Sequence, residues 1–426
     1  MSSQTVAIAT TSGLLDVVRA DGLVHARGVP YATAERFGAP EPVLTPDEPR
    51  DATRRGPACP QNPAGLESVL GPIASVLEQS EDCLVLSVVA PEDAEGLPVM
   101  VWLHGGAYVT GGGEAPKYDG DALAREGVVV VSVTSRIGIF GYLPPEGGGV
   151  DNLGLLDQLE ALRWVASNIV AFGGDPLNVT AFGQSAGGDA VLALLATDDG
   201  PGLFRRGIVQ SAPLGLREGR GPMTRAMRAV VGERLSGAVD PTTRDVLDAQ
   251  LAAVQAAATF GNLSGLPFAP IAGLPPFSAE PGSFGRIAKD VDLLIGNAAQ
   301  DASPFVALDP RGARLGRLGP IGHRIRAAIV RRLTEQIFGI DRVVARWREA
   351  GGTVATYRFS WAPRGSELGA CHCIELPALF GDAWAGAPLL AGETVPDALA
   401  AEIRGAWVAF ARDGVRGLPS QMLTFG

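Results

Sequence analysis

Six short apolar runs without polar alternation mark the middle of the chain: 99–103, 128–133, 179–182, 207–210, 293–295 and 354–359. A strand with one wet face alternates apolar and polar residues. A continuous apolar strand is covered on both faces, as in a parallel sheet. Between these runs lie helical patterns. Leu155, Leu159, Leu162, Val165 and Ile169 recur at steps of three and four, as do Ile321, Ile325, Ile329 and Leu333, and each set predicts one apolar helix stripe. Alternation of strand and helix predicts a central, mostly parallel sheet flanked by helices, an α/β fold. Ahead of it, residues 5–31 read as a β-hairpin around Asp21-Gly22, followed by a Pro-rich irregular stretch from about 38 to 80. No repeat or low-complexity linker divides the 426 residues, so residues 1–426 are expected to form one domain.

Charge and apolar patterning exclude several classes. The net charge of −11 leaves no basic field for nucleic acid or an anionic membrane surface. No apolar run approaches the roughly 20 residues a membrane span requires. Residues 1–12 lack a basic segment followed by an apolar one, so no signal peptide is expected and the default location is cytoplasmic. Four cysteines are present. Cys371 and Cys373 flank His372, but no second ligand pair lies near them, so no metal is expected there.

The strongest chemical signal is Gly183-Gln184-Ser185-Ala186-Gly187, set between the apolar run 179–182 and a helix-like run at 189–195. In that context G-x-S-x-G forms a tight strand-to-helix turn that presents the serine hydroxyl, the nucleophile elbow of α/β-hydrolases. A serine at a helix start can also be a plain N-cap. A second signal favours the chemical reading. His104-Gly105-Gly106-Ala107 ends the run 99–103, and small residues there can offer backbone N–H groups to a developing oxyanion. A Gly-rich turn is the plainer alternative.

A serine nucleophile needs a base and an orienting acid. The chain has four histidines. His25 falls in the predicted hairpin, His104 in the Gly-rich segment and His323 among arginines on a predicted helix. His372, in a loop after the run 354–359, is the base by elimination and by the order serine, acid, histidine. The acid must lie between 185 and 372, preferably just after a strand. Asp301 qualifies, and Asp309 is a rival close by.

Further segments carry a resemblance. Gly28-Val29-Pro30-Tyr31-Ala32, Cys59-Pro60-Gln61, the run 80–86 (SEDCLVL), the stretch from Asn152-Leu153-Gly154 through Asn168-Ile169 to Phe172-Gly173-Gly174-Asp175-Pro176, and Gly369-Ala370-Cys371-His372 with Glu375-Leu376 resemble, in order, motifs of the type-B carboxylesterases, a family that includes bacterial p-nitrobenzyl-esterase-like enzymes and the cholinesterases. The resemblance covers nearly the whole chain. It implies an α/β-hydrolase fold with a small N-terminal sheet and shortened cap regions. It also implies Ser185 as nucleophile, His372 as base, Asp301 as acid, and Gly106, Ala107 and Ala186 as oxyanion donors. The implied chemistry is hydrolysis of a small-molecule ester, on short or medium acyl chains or aryl groups, without cofactor or metal. Carbamate or activated-amide hydrolysis by the same machinery is the alternative. A non-catalytic binding protein, as some relatives are, is a third reading, and retention of all three side chains speaks against it. Cys59 and Cys83 match positions that form a disulfide in secreted members. The departures are Asp301 where the family usually has glutamate, Gln184 in place of the usual glutamate before the serine, and Ser135-Arg136 where Asn-Tyr-Arg is usual.

Overall fold

The computed structural model describes residues 3–426 apart from 44, 46–47, 64, 146–148, 278–283, 286 and 317. Three strands open the chain, β1 (Gln4–Thr10), β2 (Gly13–Ala20) and β3 (Leu23–Pro30). They pair antiparallel in sequence. The expected turn at Asp21-Gly22 joins β2 to β3, and both residues take positive φ, the conformation a two-residue hairpin turn requires. A further turn at Thr11-Ser12 makes the predicted hairpin a three-stranded meander.

The main sheet adds β4 (Val85–Pro91), β5 (Leu97–Leu103), β6 (Val129–Val133), β7 (Gly174–Gln184), β8 (Arg206–Gln210), β9 (Asp292–Ala298), β10 (Val354–Phe359) and β11 (Met422–Phe425). Their spatial order is β1-β2-β3-β4-β6-β5-β7-β8-β9-β10-β11. Every pair from β6 to β11 is parallel, while β4 runs antiparallel to β3 and β6. The apolar runs of β5 and β6 are buried on both faces, as continuous apolar strands must be.

Seven helices matter to the site and its surroundings: α1 (Leu153–Asn168), α2 (Ala186–Leu195), α3 (Gly221–Leu235), α4 (Thr243–Ala257), α5 (Ser303–Leu308), α6 (Gly319–Phe338) and α7 (Asp397–Asp413). Helix α1 buries the stripe that its periodicity predicts, Leu155, Leu159, Leu162 and Val165, with Ile169 just beyond. Helix α6 does not. Its residues Ile321, Ile325 and Ile329 are 70%, 43% and 36% exposed. The row that packs inward is set one residue on, at Gly322, Val330, Thr334 and Phe338. That row carries the specific contacts: the Ala302 N–H donates to Thr334 Oγ1 at 3.1 Å, and the Phe338 carbonyl accepts from Asn297 Nδ2 at 2.9 Å.

Beneath the sheet, Trp102 of β5 packs on Phe182 of β7 and on Phe380, each with ring centroids 4.9 Å apart. Side chains of this size each contribute about 1.5–3 kcal/mol when fully buried, so the two strands that lead into the Gly-rich segment and the serine are anchored together. Among the described residues, no helix is long and apolar enough to cross a membrane.

Candidate active site

Parallel register brings the carboxyl ends of β5, β7, β8 and β9 to one edge. Gly183 pairs with Leu103 and Val209, and Gln184 with Gln210, which pairs with Gly296. Residues just past these ends converge, which is where open α/β sheets form their ligand crevices.

Ser185 occupies the turn between β7 and α2 with φ 58° and ψ −123°, a conformation sparsely populated by side-chain-bearing residues. Its N–H is held by the Gln210 carbonyl at 2.8 Å, and its own carbonyl accepts the Asp189 N–H at 3.0 Å. The flanking glycines are required by space. A Cβ at Gly187 would lie 1.9 Å from the Leu103 oxygen, and one at Gly183 would lie 2.5 Å from the Gly187 carbonyl carbon. A side chain at Gly187 would force α2 off β5, and one at Gly183 would force β7 off α2.

The segment after β5 turns back on itself. Gly106, Ala107 and Tyr108 all have positive φ, and the Gly106 carbonyl accepts the N–H groups of Val109 and Thr110. A Cβ at Gly106 would meet the Thr110 oxygen at 2.0 Å. Among the described residues, the N–H groups of Gly106, Ala107 and Ala186 have no protein acceptor. Ala186 begins α2, so its N–H also carries the positive end of the helix dipole.

His372 and Asp301 meet as a buried pair. His372 Nδ1 lies 2.8 Å from Asp301 Oδ1, and the two residues are 1% and 0% exposed. Asp301 Oδ2 accepts the Ala298 N–H at 2.9 Å, which orients the carboxylate. The two loops are stitched by Gln300. Its N–H donates to the Ala370 carbonyl at 2.9 Å and its Oε1 accepts from the Ala370 N–H at 2.7 Å. Phe305 of α5 and Phe338 of α6 pack against the imidazole with centroids 5.2 and 5.0 Å away. Asp309 is not part of this cluster; its Oδ1 accepts from the N–H groups of Arg311 and Gly312 at the surface.

The other histidines lie elsewhere. His25 on β3 faces Asp121, Nε2 to Oδ1 3.1 Å, and His323 is exposed on α6. His104 Nδ1 sits 2.8 Å from the Gly105 carbonyl, and burial lowers its pKa. Cys59 and Cys83 are buried free thiols rather than a disulfide; the Cys59 neighbour, then burial, pushes the Cys83 thiol up.

Three polar groups near the imidazole carry no role in the motif reading. Gln184 Nε2 stands 3.1 Å from His372 Nε2, and Gln184 Oε1 accepts the Cys373 thiol at 3.3 Å. Ser185 Oγ forms no hydrogen bond among the described residues. Glu375, fully buried, accepts from Gln210 Nε2 at 3.3 Å, and burial, reinforced by Asp301, pushes its carboxyl up to about 8. It is therefore largely neutral at pH 7.

This sheet and edge are those of the α/β-hydrolase fold. A solved PNB esterase superposes on the chain with a TM-score of 0.81 at 33% identity, covering 97% of this chain and 91% of that one. The chain belongs to the carboxylesterase family, whose model matches residues 21–316, and it is a carboxylic ester hydrolase. Among its relatives, para-nitrobenzyl esterase of Bacillus subtilis (strain 168) is 35% identical, with 96% of this chain and 90% of that protein covered. A probable N-octanoylanthranilate hydrolase of Rhodococcus erythropolis is 39% identical over 85% of this chain and 83% of that protein.

Proposed function

We propose that the chain hydrolyses small-molecule esters, with short or medium acyl chains or aryl groups, through an acyl-enzyme on Ser185. The observation that carries this reading is the buried Asp301–His372 bond beside a strained serine and three unclaimed N–H groups. Asp301 accepts the Nδ1 proton of His372, which leaves Nε2 unprotonated and able to take a proton. Ser185 Oγ attacks the ester carbonyl carbon and its proton passes to Nε2, the Gln184 amide giving way as the hydroxyl turns in. The C=O π electrons move to oxygen, and the N–H groups of Gly106, Ala107 and Ala186 hold that oxyanion. Collapse of the intermediate breaks the bond to the alcohol, which leaves with the proton from Nε2. Water then repeats the sequence on the acyl-serine and releases the acid.

None of these steps calls for a cofactor or metal, and the acidic chain is not suited to nucleic acid. Rapid mixing with a p-nitrophenyl ester tests the acyl-enzyme. A burst of nitrophenol close to one equivalent of enzyme, absent in Ser185→Ala, is the expected result. A linear trace that survives Ser185→Ala refutes it. A panel of p-nitrophenyl esters of increasing acyl length then defines the substrate range.

A second reading is cleavage of an activated amide or carbamate by the same groups. It is favoured by the relative whose name describes hydrolysis of N-octanoylanthranilate. Turnover of an N-acyl anthranilate at a rate comparable with the esters would establish it.

A further inference from the structure

A cavity of about 690 Å³ opens beside helix α2. Asp189, one helical turn beyond Ser185, forms part of its wall; four residues of helix advance about 6 Å. The link to the site is doubled by Tyr108, which follows Ala107 and donates from its hydroxyl to Asp189 Oδ2 at 2.8 Å.

The charge on the wall is one-sided. Arg217, Arg220, Arg225, Arg228 and Arg346 line it against two carboxylates, Asp189 and Glu218, in a chain that is acidic as a whole. Three of the arginines have carboxylate partners. Arg217 Nε lies 3.1 Å from Asp189, Arg228 pairs with Asp151, and Arg346 reaches Glu218 at 3.9 Å. Arg220 does not: its guanidinium donates to the carbonyls of Leu216 and Pro267 at 3.2 and 3.1 Å. Burial disfavours its charge, and Asp189 offsets that only in part. Arg225 forms no ion pair or hydrogen bond among the described residues. Much of the remaining lining is apolar, Ile271 and Phe277 included. Two guanidinium groups without a carboxylate partner thus share one cavity lining with apolar side chains, a combination suited to an organic carboxylate, since guanidinium binds carboxylate through paired, charge-assisted hydrogen bonds.

We propose that this cavity is an acid-recognition subsite and that the preferred substrates carry a free carboxylate as well as the ester. The proposal rests on the reading of Ser185 as nucleophile, because it is Asp189, four residues on from Ser185 along α2, that ties the cavity to the site. The carboxylate can belong to the acyl part or to the leaving alcohol, and paired substrates distinguish the two. p-Nitrophenyl hemiglutarate against p-nitrophenyl valerate tests the acyl side. 4-Acetoxybenzoate against its methyl ester tests the alcohol side.

In the wild type, kcat/KM for at least one anionic ester should exceed that of its neutral partner by about tenfold, the worth of one charged hydrogen bond. That ratio should fall about fivefold or more in Arg225→Gln and in Arg220→Gln, and should shrink with added salt, because the attraction is electrostatic. Arg234→Gln removes the same charge from the exposed far end of α3 and should keep the ratio. Arg225 is exposed, so its variant carries the test even where Arg220→Gln fails to fold. The nucleophile is tested separately, by binding rather than turnover. Titration of whichever of the two anionic esters the wild type prefers into Ser185→Ala protein should show a Kd weakened by Arg225→Gln whether or not Ser185 is the attacking group. Anionic esters slower than neutral ones in the wild type, or a ratio and a Kd indifferent to Arg225, overturn the subsite and leave the esterase reading standing.

Discussion

Gln184 Nε2 lies 3.1 Å from His372 Nε2, so the residue before the serine, not the serine, holds the imidazole nitrogen in this conformation. The same amide nitrogen is 3.4 Å from Nδ1, so a neutral group stands over the ring without altering the charge around it. Gln184→Glu would set a carboxylate at the same point and stabilise the protonated imidazole. The base would then stay protonated to higher pH, and the acid limb of the kcat/KM profile should move up by about one unit or more. An unmoved limb would mean that Gln184 does not face the working base.

His372→Ala should abolish ester turnover, while His323→Ala should stay within about twofold of wild type, since His323 is exposed on α6. Steady-state rates on one p-nitrophenyl ester decide the matter. A dead His323 variant beside an active His372 variant would reverse the assignment.

Asp301→Asn keeps the shape of the carboxylate but can present an N–H to Nδ1, which favours the wrong imidazole tautomer. A loss in kcat of about 10³–10⁴-fold is expected on that ground. Asp309→Ala should leave kcat near wild type and cost about 1 kcal/mol of stability, because its carboxylate caps the turn at Arg311 and Gly312. Equal kcat losses in the two variants would sink the pairing.

Glu375 makes a prediction about stability against pH. Its carboxyl titrates at about 8 when folded, against an ordinary glutamate value of 4.5. Between those values the unfolded chain has released a proton that the folded chain still holds, so stability falls as pH rises through that window and levels off above it. Glu375→Gln keeps an acceptor for Gln210 and cannot ionise. Urea unfolding from pH 5 to 9 should show the variant losing less stability than wild type, by a few kcal/mol at most. Parallel curves would show that Glu375 does not titrate there.

Arg136 and Asp157 form a buried pair, with side chains 5% and 0% exposed, in which Asp157 accepts from the Arg136 N–H, Nε and Nη2 groups. Asp157→Ala leaves the guanidinium buried without its partner and should cost about 3–5 kcal/mol in chemical denaturation. A loss below about 1 kcal/mol would mean that water reaches the arginine.

The linear order of residues determined a good deal of this protein. Continuous apolar runs specify strands covered on both faces, and their alternation with helical stripes specifies a parallel sheet, because these patterns state locally which faces must leave water. The glycines around Ser185 are legible for the same reason: a tight strand-to-helix turn demands them wherever it occurs. Helix α6 shows the limit. Its isoleucines form the cleaner apolar row, yet the row at Gly322, Val330, Thr334 and Phe338 packs inward, because the contacts it makes with Ala302, Asn297 and His372 lie in segments remote along the chain. Strand β11 pairs only at the sheet edge with β10 and is too short to announce itself. The contact between Asp301 and His372 depends on the Gln300–Ala370 stitching and the register of β9 with β10, and spacing along the chain alone leaves Asp309 as a rival. Gln184 over the imidazole, Glu375 held neutral and the arginines gathered beside α2 are decided in the same way. Each depends on burial and on charges from elements far apart in sequence, and these come together only when the chain has folded.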